Sequence, residues 1–212
     1  MSKPQTAYFD QAAATWEENP VRVAMTQAVV EAIVREVQPT PAMTLLDYGC
    51  GTGLISAWLA PHVGRVTAAD SSEGMLASLR QKIEQNGLAT IRAVRLDLED
   101  EPLPAERYDL IVTNMVMHHV ADAQRLLKTF HTLLRPGGAL CVADLDTEPG
   151  LFHNAAAADT VHHHGFDRQE FSRWLVQAGF RQVRDTTAHT IRRRVADGQE
   201  RDFSVFLITG QR

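Results

Sequence analysis

The stretch that decides the fold is Leu45-Leu46-Asp47-Tyr48-Gly49-Cys50-Gly51-Thr52-Gly53. An apolar run that begins near Met43 ends here in an acid and three glycines at alternate positions, and apolar residues with helical spacing follow over 54–60. This pattern predicts a strand, a tight glycine turn and a helix. Because glycine has no Cβ, such a turn can adopt positive φ and press its amides against a nucleotide-like group at the start of the helix.

A second carboxylate strengthens the interpretation of this turn as a binding site. Asp70 closes the next apolar run, Val66-Thr67-Ala68-Ala69, about twenty residues after the turn. In doubly wound nucleotide-binding folds this position carries the acid that accepts the ribose hydroxyls. The spacing therefore predicts a ligand with a ribose, bound at Asp70.

Two kinds of cofactor compete for such a turn. The dinucleotide fingerprint is GxGxxG, and here the third glycine comes one residue early. Asp47 precedes the turn and no Lys or Arg lies between Asp47 and Trp58, so the turn suits an ammonium group better than a phosphate. The stretch resembles the first motif of the class I S-adenosylmethionine-dependent methyltransferases. The resemblance implies S-adenosylmethionine as the cofactor, with an NAD(P)-dependent oxidoreductase as the alternative from outside this family.

Composition limits the other classes. A chain of 212 residues with 44% hydrophobic content is long enough for one well-filled α/β domain. A net charge of −5 argues against nucleic-acid and anionic-membrane partners, which favour a basic face. The two cysteines, Cys50 and Cys141, are interpreted as reduced, small apolar residues. With no secretory apolar region and no apolar run of about 18 residues, we expect a cytoplasmic protein; its oligomeric state is not predicted.

Strand and helix patterns alternate along the chain. They predict helix 21–37, strand 43–48, helix 53–61, strand 65–70, helix 72–86, strand 90–96, strand 108–113, helix 122–134, strand 139–145, an irregular segment 147–166, helix 168–178, and a hairpin of strands 182–194 and 202–209 around Asp197-Gly198. The turn Arg135-Pro136-Gly137-Gly138 also resembles the class I methyltransferases. The expected fold class is α/β: a doubly wound, mostly parallel, Rossmann-like sheet of seven strands with a C-terminal β-hairpin. The number of strands and the antiparallel last strand are implied by the resemblance.

We expect a single domain over residues 1–212. Its parts are an N-terminal helical lid (1–38), a cofactor-binding core (39–146), and a substrate loop, helix and terminal hairpin (147–212). The lid is implied by the resemblance, in which Tyr8, Phe9 and Trp16 help to exclude water from the methyl-transfer site. The alternative for the first residues is a helix packed at the domain edge.

The cofactor residues are expected at the carboxyl ends of the strands, where ligands bind in this fold. Asp97, which follows the strand at 90–96, can accept a hydrogen bond from an adenine amine, and Met75 is either an adenine contact or a core methionine. The resemblance implies the full set: Asp47, Gly49, Gly51 and Gly53 at the methionine portion, Asp70 with Ser71 at the ribose, Met75, Asp97 and Leu98 at the adenine, and Asn114 and Met115 near the transferred methyl.

Six of the nine histidines fall in the two loops after the fourth and fifth strands: His118, His119, His153, His162, His163 and His164. Three interpretations remain open. In the first, the histidines are solvated or supporting residues. In the second, His119 or His118 is the catalytic base that takes the acceptor's proton. In the third, imidazoles join Asp144 or Asp146 around a metal. No H-x-x-x-H or C-x-x-C spacing supports a metal, so none is included in the expected site.

The methyl acceptor is the part of the function that the sequence determines least. Asn114 is followed by Met115-Val116-Met117, not by the N-P-P-Y type tetrad that holds a planar amine in related nucleic-acid and protein methylases. With the negative net charge this favours a small-molecule acceptor with an oxygen, sulfur or carbon nucleophile. A non-catalytic module that binds S-adenosylmethionine is the alternative within the family.

Overall fold

Strands and helices alternate in the computed structural model of the chain, which describes residues 4–153, 155–195 and 198–212. The strands are β1 (Thr44–Tyr48), β2 (Arg65–Asp70), β3 (Ile91–Arg95), β4 (Tyr108–Asn114), β5 (Leu134–Leu145), β6 (Arg181–Arg194) and β7 (Glu200–Gln211). The helices are α1 (Pro4–Ala12), α2 (Pro20–Val37), α3 (Leu54–Leu59), α4 (Glu73–Asn86), α5 (Ala123–Leu133), α6 (Ala155–Ala158) and α7 (Arg168–Gln177). Within these described ranges, no helix combines the length and the apolar character that crossing a membrane requires.

The seven strands form one sheet in the order β3-β2-β1-β4-β5-β7-β6. Strands β1 to β5 run parallel, β7 pairs antiparallel with β5, and β6 pairs antiparallel with β7. The predicted fold class, including the C-terminal hairpin, is therefore confirmed. The order reverses direction at β1 and β4, and the crevice at such a reversal is where doubly wound folds bind ligands.

Both faces of the central strands are buried, and neighbouring residues of a strand point to opposite faces. Leu45 packs with α2 and α4 on one face, and Leu46 packs with α5 and α7 on the other. Both leucines are fully buried, and each such side chain contributes about 1.5–3 kcal/mol to folding. The two apolar layers hold the strand ends, and the loops that leave them, in fixed positions.

Side-chain caps start four of the helices where the sequence provides an Asn, Ser or Asp. Asn19, Ser72, Asp122 and Asp167 each accept a backbone N–H of the first turn of α2, α4, α5 and α7. The cap of α4 is Ser72, whose Oγ accepts the N–H of Met75 at 3.1 Å. This cap fixes the loop between Asp70 and α4.

The predicted helical N-terminal segment consists of α1 and a 3-10 helix, Ala13–Glu18. The structure differs from the predicted elements at two places. Strand β5 begins at Leu134 because Leu134 pairs with Tyr108 before a register shift, so the Pro-Gly-Gly sequence lies inside the strand. The segment 147–166, predicted as irregular, contains the short helix α6. Of the predicted Asp197-Gly198 turn, Asp197 lies outside the described residues.

Candidate active site

A cavity of about 540 Å³ opens at the carboxyl ends of β1, β2 and β4. That volume is typical of a small-molecule site. Fourteen of the residues expected from the sequence line it: Tyr8, Phe9, Trp16, Asp47, Gly49, Gly51, Asp70, Ser71, Met75, Asp97, Asn114, Met115, His118 and His119. The structure thus brings most of the predicted site residues to one place.

Two predicted cofactor residues do not line this cavity. A Cβ at Gly53 would lie 2.4 Å from Leu79 Cδ1, so this glycine allows α3 to pack against α4. Leu98 is buried, and its N–H donates to Tyr48 Oη at 3.1 Å. Both residues support the walls of the site, and their predicted contacts with a ligand find no support in the cavity lining.

The glycine turn is held by its own amides. The N–H groups of Gly49 and Cys50 donate to the carbonyl of Ala69 at 2.8 and 3.0 Å, and the N–H of Gly51 donates to Asp70 Oδ2 at 2.8 Å. Gly49 has φ of +72°, and a Cβ there would lie 2.2 Å from Val116 Cγ2. These amides donate hydrogen bonds within the protein, whereas the sequence predicted that they contact a ligand. The glycines are needed for the conformation and the close packing of the turn.

Asp47 is a buried carboxylate at the end of β1. It is 1% exposed, and Ser56 Oγ donates to its Oδ2 at 2.6 Å. Burial raises the pKa of Asp47 to about 7, with the hydrogen bond from Ser56 acting in the opposite direction. Among the described residues no Lys or Arg forms an ion pair with it. A carboxylate in this setting fits a cationic ligand group, which would supply the missing charge.

Asp70 and Asp97 extend the acidic side of the cavity. Asp70 accepts the N–H of Gly51 at Oδ2 and the N–H of Ser72 at Oδ1, both at 2.8 Å. Burial raises the pKa of Asp70 above its ordinary value, although these amides oppose the shift. Asp97 Oδ1 accepts the N–H of Glu99 at 3.0 Å. Each carboxylate oxygen has a second lone pair, so both side chains can accept further hydrogen bonds from a ligand.

The N-terminal segment lies over this cavity and is attached to α4. Asp10 Oδ1 accepts Ser72 Oγ at 2.6 Å and the N–H of Gly74 at 2.8 Å. The ring of Phe9 meets the ring of His119 edge-on, with centroids 5.2 Å apart. Glu17 accepts a hydrogen bond from Thr52 of the glycine turn. The segment therefore contacts both the turn and the histidine side of the cavity.

His118 is a buried imidazole held by a carboxylate. It is 1% exposed, its Nδ1 lies 2.6 Å from Asp144 Oδ1, and its Nε2 has no hydrogen-bond partner among the described residues. Burial alone would raise the pKa of Asp144, but the His118 ring and the hydrogen bonds from His118 and Leu145 lower it below its ordinary value. An ionised Asp144 only accepts, so Nδ1 carries the proton and Nε2 carries a lone pair.

Two more imidazoles approach His118. His119 Nδ1 lies 2.7 Å from the carbonyl of Thr160. The centroid of the His118 ring lies 4.0 Å from the centroid of the His119 ring and 4.9 Å from that of the His153 ring. Burial and then the neighbouring His118 ring lower the pKa of His119 to about 3 and the pKa of His153 to about 4. One nitrogen from each of the three rings lies within 4.8 Å of the others.

The other candidate groups lie elsewhere. His163 Nε2 is 3.0 Å from the carbonyl of Val120, and His164 is an exposed residue 3.6 Å from Glu148. Asp146 accepts two hydrogen bonds from Arg168, at 2.7 and 2.6 Å. His162, His163 and His164 thus do not line the cavity, whereas His153 of the same loop does. Asp144 acts on His118 rather than facing the ring cluster directly.

Comparison with known proteins identifies the fold and its cofactor. Residues 46–142 match the family described as "Methyltransferase domain". The chain is 31% identical to a ubiquinone biosynthesis O-methyltransferase of Cereibacter sphaeroides, over 70% of this chain and 66% of that protein. The chain belongs to the class I S-adenosylmethionine-dependent methyltransferases. The family predicted from the glycine turn is confirmed, and its cofactor, S-adenosylmethionine, is the predicted one.

Further similarities of this methyltransferase agree with that assignment. It is 34% identical to an uncharacterized methyltransferase of Schizosaccharomyces pombe, over 60% of this chain and 49% of that protein. The solved DhpI–SAH complex superposes with a TM-score of 0.74 at 19% identity, covering 99% of this chain and 95% of that one, which shows the shared fold. The chain spans about two fifths to two thirds of the length of the curated relatives it matches.

Several lining residues of the methyltransferase were missed from the sequence. Arg193 lines the cavity, donates to the carbonyl of Phe152, and has its guanidinium 5.2 Å from the centre of that ring. Its neighbour Arg192 lies outside, paired with Asp202 at 2.7 Å, and the strand alternation turns Arg193 inward. The alternation of side chains along a strand predicts that one of these arginines points inward, but it does not predict that this face of β6 borders the cavity.

Proposed function

We propose that this chain transfers a methyl group from S-adenosylmethionine to a small-molecule acceptor. The observation that carries the proposal is a single cavity with buried carboxylates on one side and a carboxylate-held imidazole, His118, on the other. The O-methyltransferase of ubiquinone biosynthesis among the relatives supports a small molecule as the acceptor. S-adenosylmethionine supplies an activated methyl group on its sulfonium, so the protein's part is to bind, orient and exclude water.

The acidic side is proposed to hold the cofactor. Asp47 would accept the ammonium of the methionine portion, because a cation offsets the cost of its buried charge. Asp70, with Ser71, would accept ribose hydroxyls, and Asp97 the adenine amine, next to Met75. Gly49 and Gly51, which both have positive φ, would hold the turn in the conformation that borders the methionine portion. Asn114 and Met115 would lie near the transferred methyl.

The histidine side is proposed to receive the acceptor. His118 is the better candidate than His119 for taking the proton of an acceptor hydroxyl or thiol. Its Nδ1 donates to an ionised carboxylate, which stabilises the imidazolium that forms when Nε2 is protonated. His119, whose Nδ1 faces a neutral backbone carbonyl, would shape the acceptor space beside Phe9.

The division of the chain is part of the same proposal. Residues 1–38 would act as a lid, with Tyr8, Phe9 and Trp16 excluding water; residues 39–146 would form the cofactor-binding core; and residues 147–212 would provide the acceptor loop, a helix and the hairpin. The contacts of Asp10 with Ser72 and of Glu17 with Thr52 support the lid assignment.

A screen of acceptors tests the proposal. Purified protein is incubated with S-adenosylmethionine and panels of phenols, thiols, amines and carbon acids, and formation of S-adenosylhomocysteine is measured. With an acceptor in hand, Asp144→Asn should lower kcat by about 100-fold or more, while S-adenosylhomocysteine still binds as in the wild type. Asp146→Asn is the matched control, because Asp146 pairs with Arg168 away from the rings. A functional Asp144→Asn enzyme would contradict the base assignment, and binding without turnover of any acceptor would favour a non-catalytic binding module.

A further inference from the structure

Three imidazoles converge inside the cavity, and their arrangement has a second chemical use. His118, His119 and His153 each offer a ring nitrogen, and these nitrogens lie within 4.8 Å of one another. His118 and His119 follow β4, and His153 follows β5, so two separate loops contribute to the cluster. Adjacent protonated imidazoles repel each other, which disfavours more than one charged ring in the cluster.

The neighbours of the rings fix which nitrogens face inward. The carboxylate of Asp144 accepts from His118 Nδ1 at 2.6 Å, and the carbonyl of Thr160 accepts from His119 Nδ1 at 2.7 Å. Both rings therefore present Nε2 as the lone-pair nitrogen. A carboxylate or a backbone carbonyl on the outer nitrogen is the arrangement that orients metal-binding histidines in proteins.

His118 Nε2 supplies the observation that points to a ligand. This buried nitrogen has no hydrogen-bond partner among the described residues, and a buried polar atom left unpaired is destabilising. Such an atom needs a reason to be retained. A ligand bound at this nitrogen would remove that cost.

We propose that His118, His119 and His153 together bind one divalent transition-metal ion of the Zn²⁺ or Co²⁺ type. Imidazole is a preferred ligand of these ions. A tetrahedral ion with Zn–N distances of about 2.0–2.1 Å requires the three nitrogens to close from the present spread by side-chain rotation. Three protein ligands leave the fourth position for water or for an oxygen or sulfur atom of a bound small molecule.

This proposal does not rest on methyl transfer, although it affects it. His118 Nε2 cannot coordinate an ion and accept a proton at the same time. In the loaded protein the ion would lower the pKa of an acceptor atom bound at its fourth position, and the proton-accepting role of His118 would apply to the ion-free protein. Metal binding and cofactor binding can be measured separately.

Cobalt titration of untagged, chelator-treated protein tests the site. Wild type is expected to bind one Co²⁺ per chain with the visible absorption of a tetrahedral ion, and Zn²⁺ should displace it. His118→Gln and His153→Gln should lose this absorption. His164→Gln, an exposed histidine outside the cluster, is the matched control and should retain it. Absence of one-to-one binding in the wild type, or binding that survives both cluster variants, would overturn the proposal.

Two further measurements keep the outcome unambiguous. Asp144→Asn leaves all three rings in place and should weaken Co²⁺ binding by about 10–100-fold, as expected when the partner of a metal-bound histidine is removed; unchanged affinity would contradict the role given to His118. Binding of S-adenosylhomocysteine to each variant reports that the cavity is folded. Failure of S-adenosylhomocysteine to bind the wild type would count against the proposed function and not against the metal site.

Discussion

At the scale of single residues, the buried carboxyl of Asp47 has the strongest electrostatic effect on the cofactor side of the cavity. Its burial raises its pKa to about 7, so near neutral pH it exchanges between a neutral and a charged form. The pKa is raised above the value in the unfolded chain, which means that its contribution to stability is present at low pH and is lost as the pH rises through about 7. A bound ammonium group would reverse the preference by stabilising the charged form.

Burial favours the neutral form of Asp47 and a bound ammonium group favours the charged form, so ligand binding should depend on pH. A carboxyl of pKa about 7 is about nine tenths ionised at pH 8 and about one tenth at pH 6. The affinity for S-adenosylhomocysteine, measured by calorimetry, should therefore fall about tenfold from pH 8 to pH 6, although the titration of Asp47 alone favours the folded state at the lower pH.

Asp47→Asn is the control for that measurement. The variant should bind S-adenosylhomocysteine weakly at both pH values and should lose the tenfold difference, because an amide does not titrate. Asp70, whose pKa is also raised, is retained in the variant, so the comparison isolates the contribution of Asp47. An affinity of the wild-type protein that is equal at pH 6 and pH 8 would contradict the role proposed for Asp47.

At the scale of elements, the N-terminal segment is attached to the cofactor side by a few polar contacts. Asp10 accepts two hydrogen bonds at the start of α4, from Ser72 Oγ and the N–H of Gly74. The absence of a side chain at Gly74 permits this docking, since a Cβ there would lie 2.8 Å from the backbone of Asp10. The position of the segment over the cavity therefore depends on α4, more than sixty residues later in the chain.

Removal of these contacts should weaken cofactor binding. Hydrogen bonds to a charged group contribute about 1.5–3 kcal/mol, so Asp10→Ala should raise the Kd for S-adenosylhomocysteine by about tenfold or more. Gln11→Ala, at the neighbouring exposed position, should leave it unchanged. Deletion of residues 1–18 should have the largest effect, and a truncated protein that binds S-adenosylhomocysteine with wild-type affinity would refute the lid.

The sequence predicted those elements whose cause is local. Helix α2 follows from Asn19-Pro20 at its start and an apolar stripe, and the strands follow from apolar runs that end in Asp or Asn. The N-terminal helical segment was predicted, but only the resemblance placed it over the cofactor, because its position depends on contacts with α4. The start of β5 was placed five residues late, since Pro136 and Gly137 indicated a turn where the structure has a shift in strand register.

At the scale of the whole molecule, the topology explains which part of the cavity was predictable. Asp47, Asp70 and Asp97 lie at or just beyond the carboxyl ends of strands that are neighbours in a doubly wound sheet, so their meeting was predictable from the strand order. The approach of His153 to His118 was not, because it depends on the path of the long loop after β5. The inward position of Arg193 at the cavity depends on how the hairpin meets α2, which no local pattern encodes.

Calorimetric titration of the purified protein with S-adenosylhomocysteine and, separately, with NADH tests the central claim most directly. The account predicts one-to-one binding of S-adenosylhomocysteine in the micromolar range, about −8 kcal/mol, and no binding of NADH. Binding of NADH without binding of S-adenosylhomocysteine would contradict it, because the glycine turn, Asp47 and Asp70 would then serve a dinucleotide.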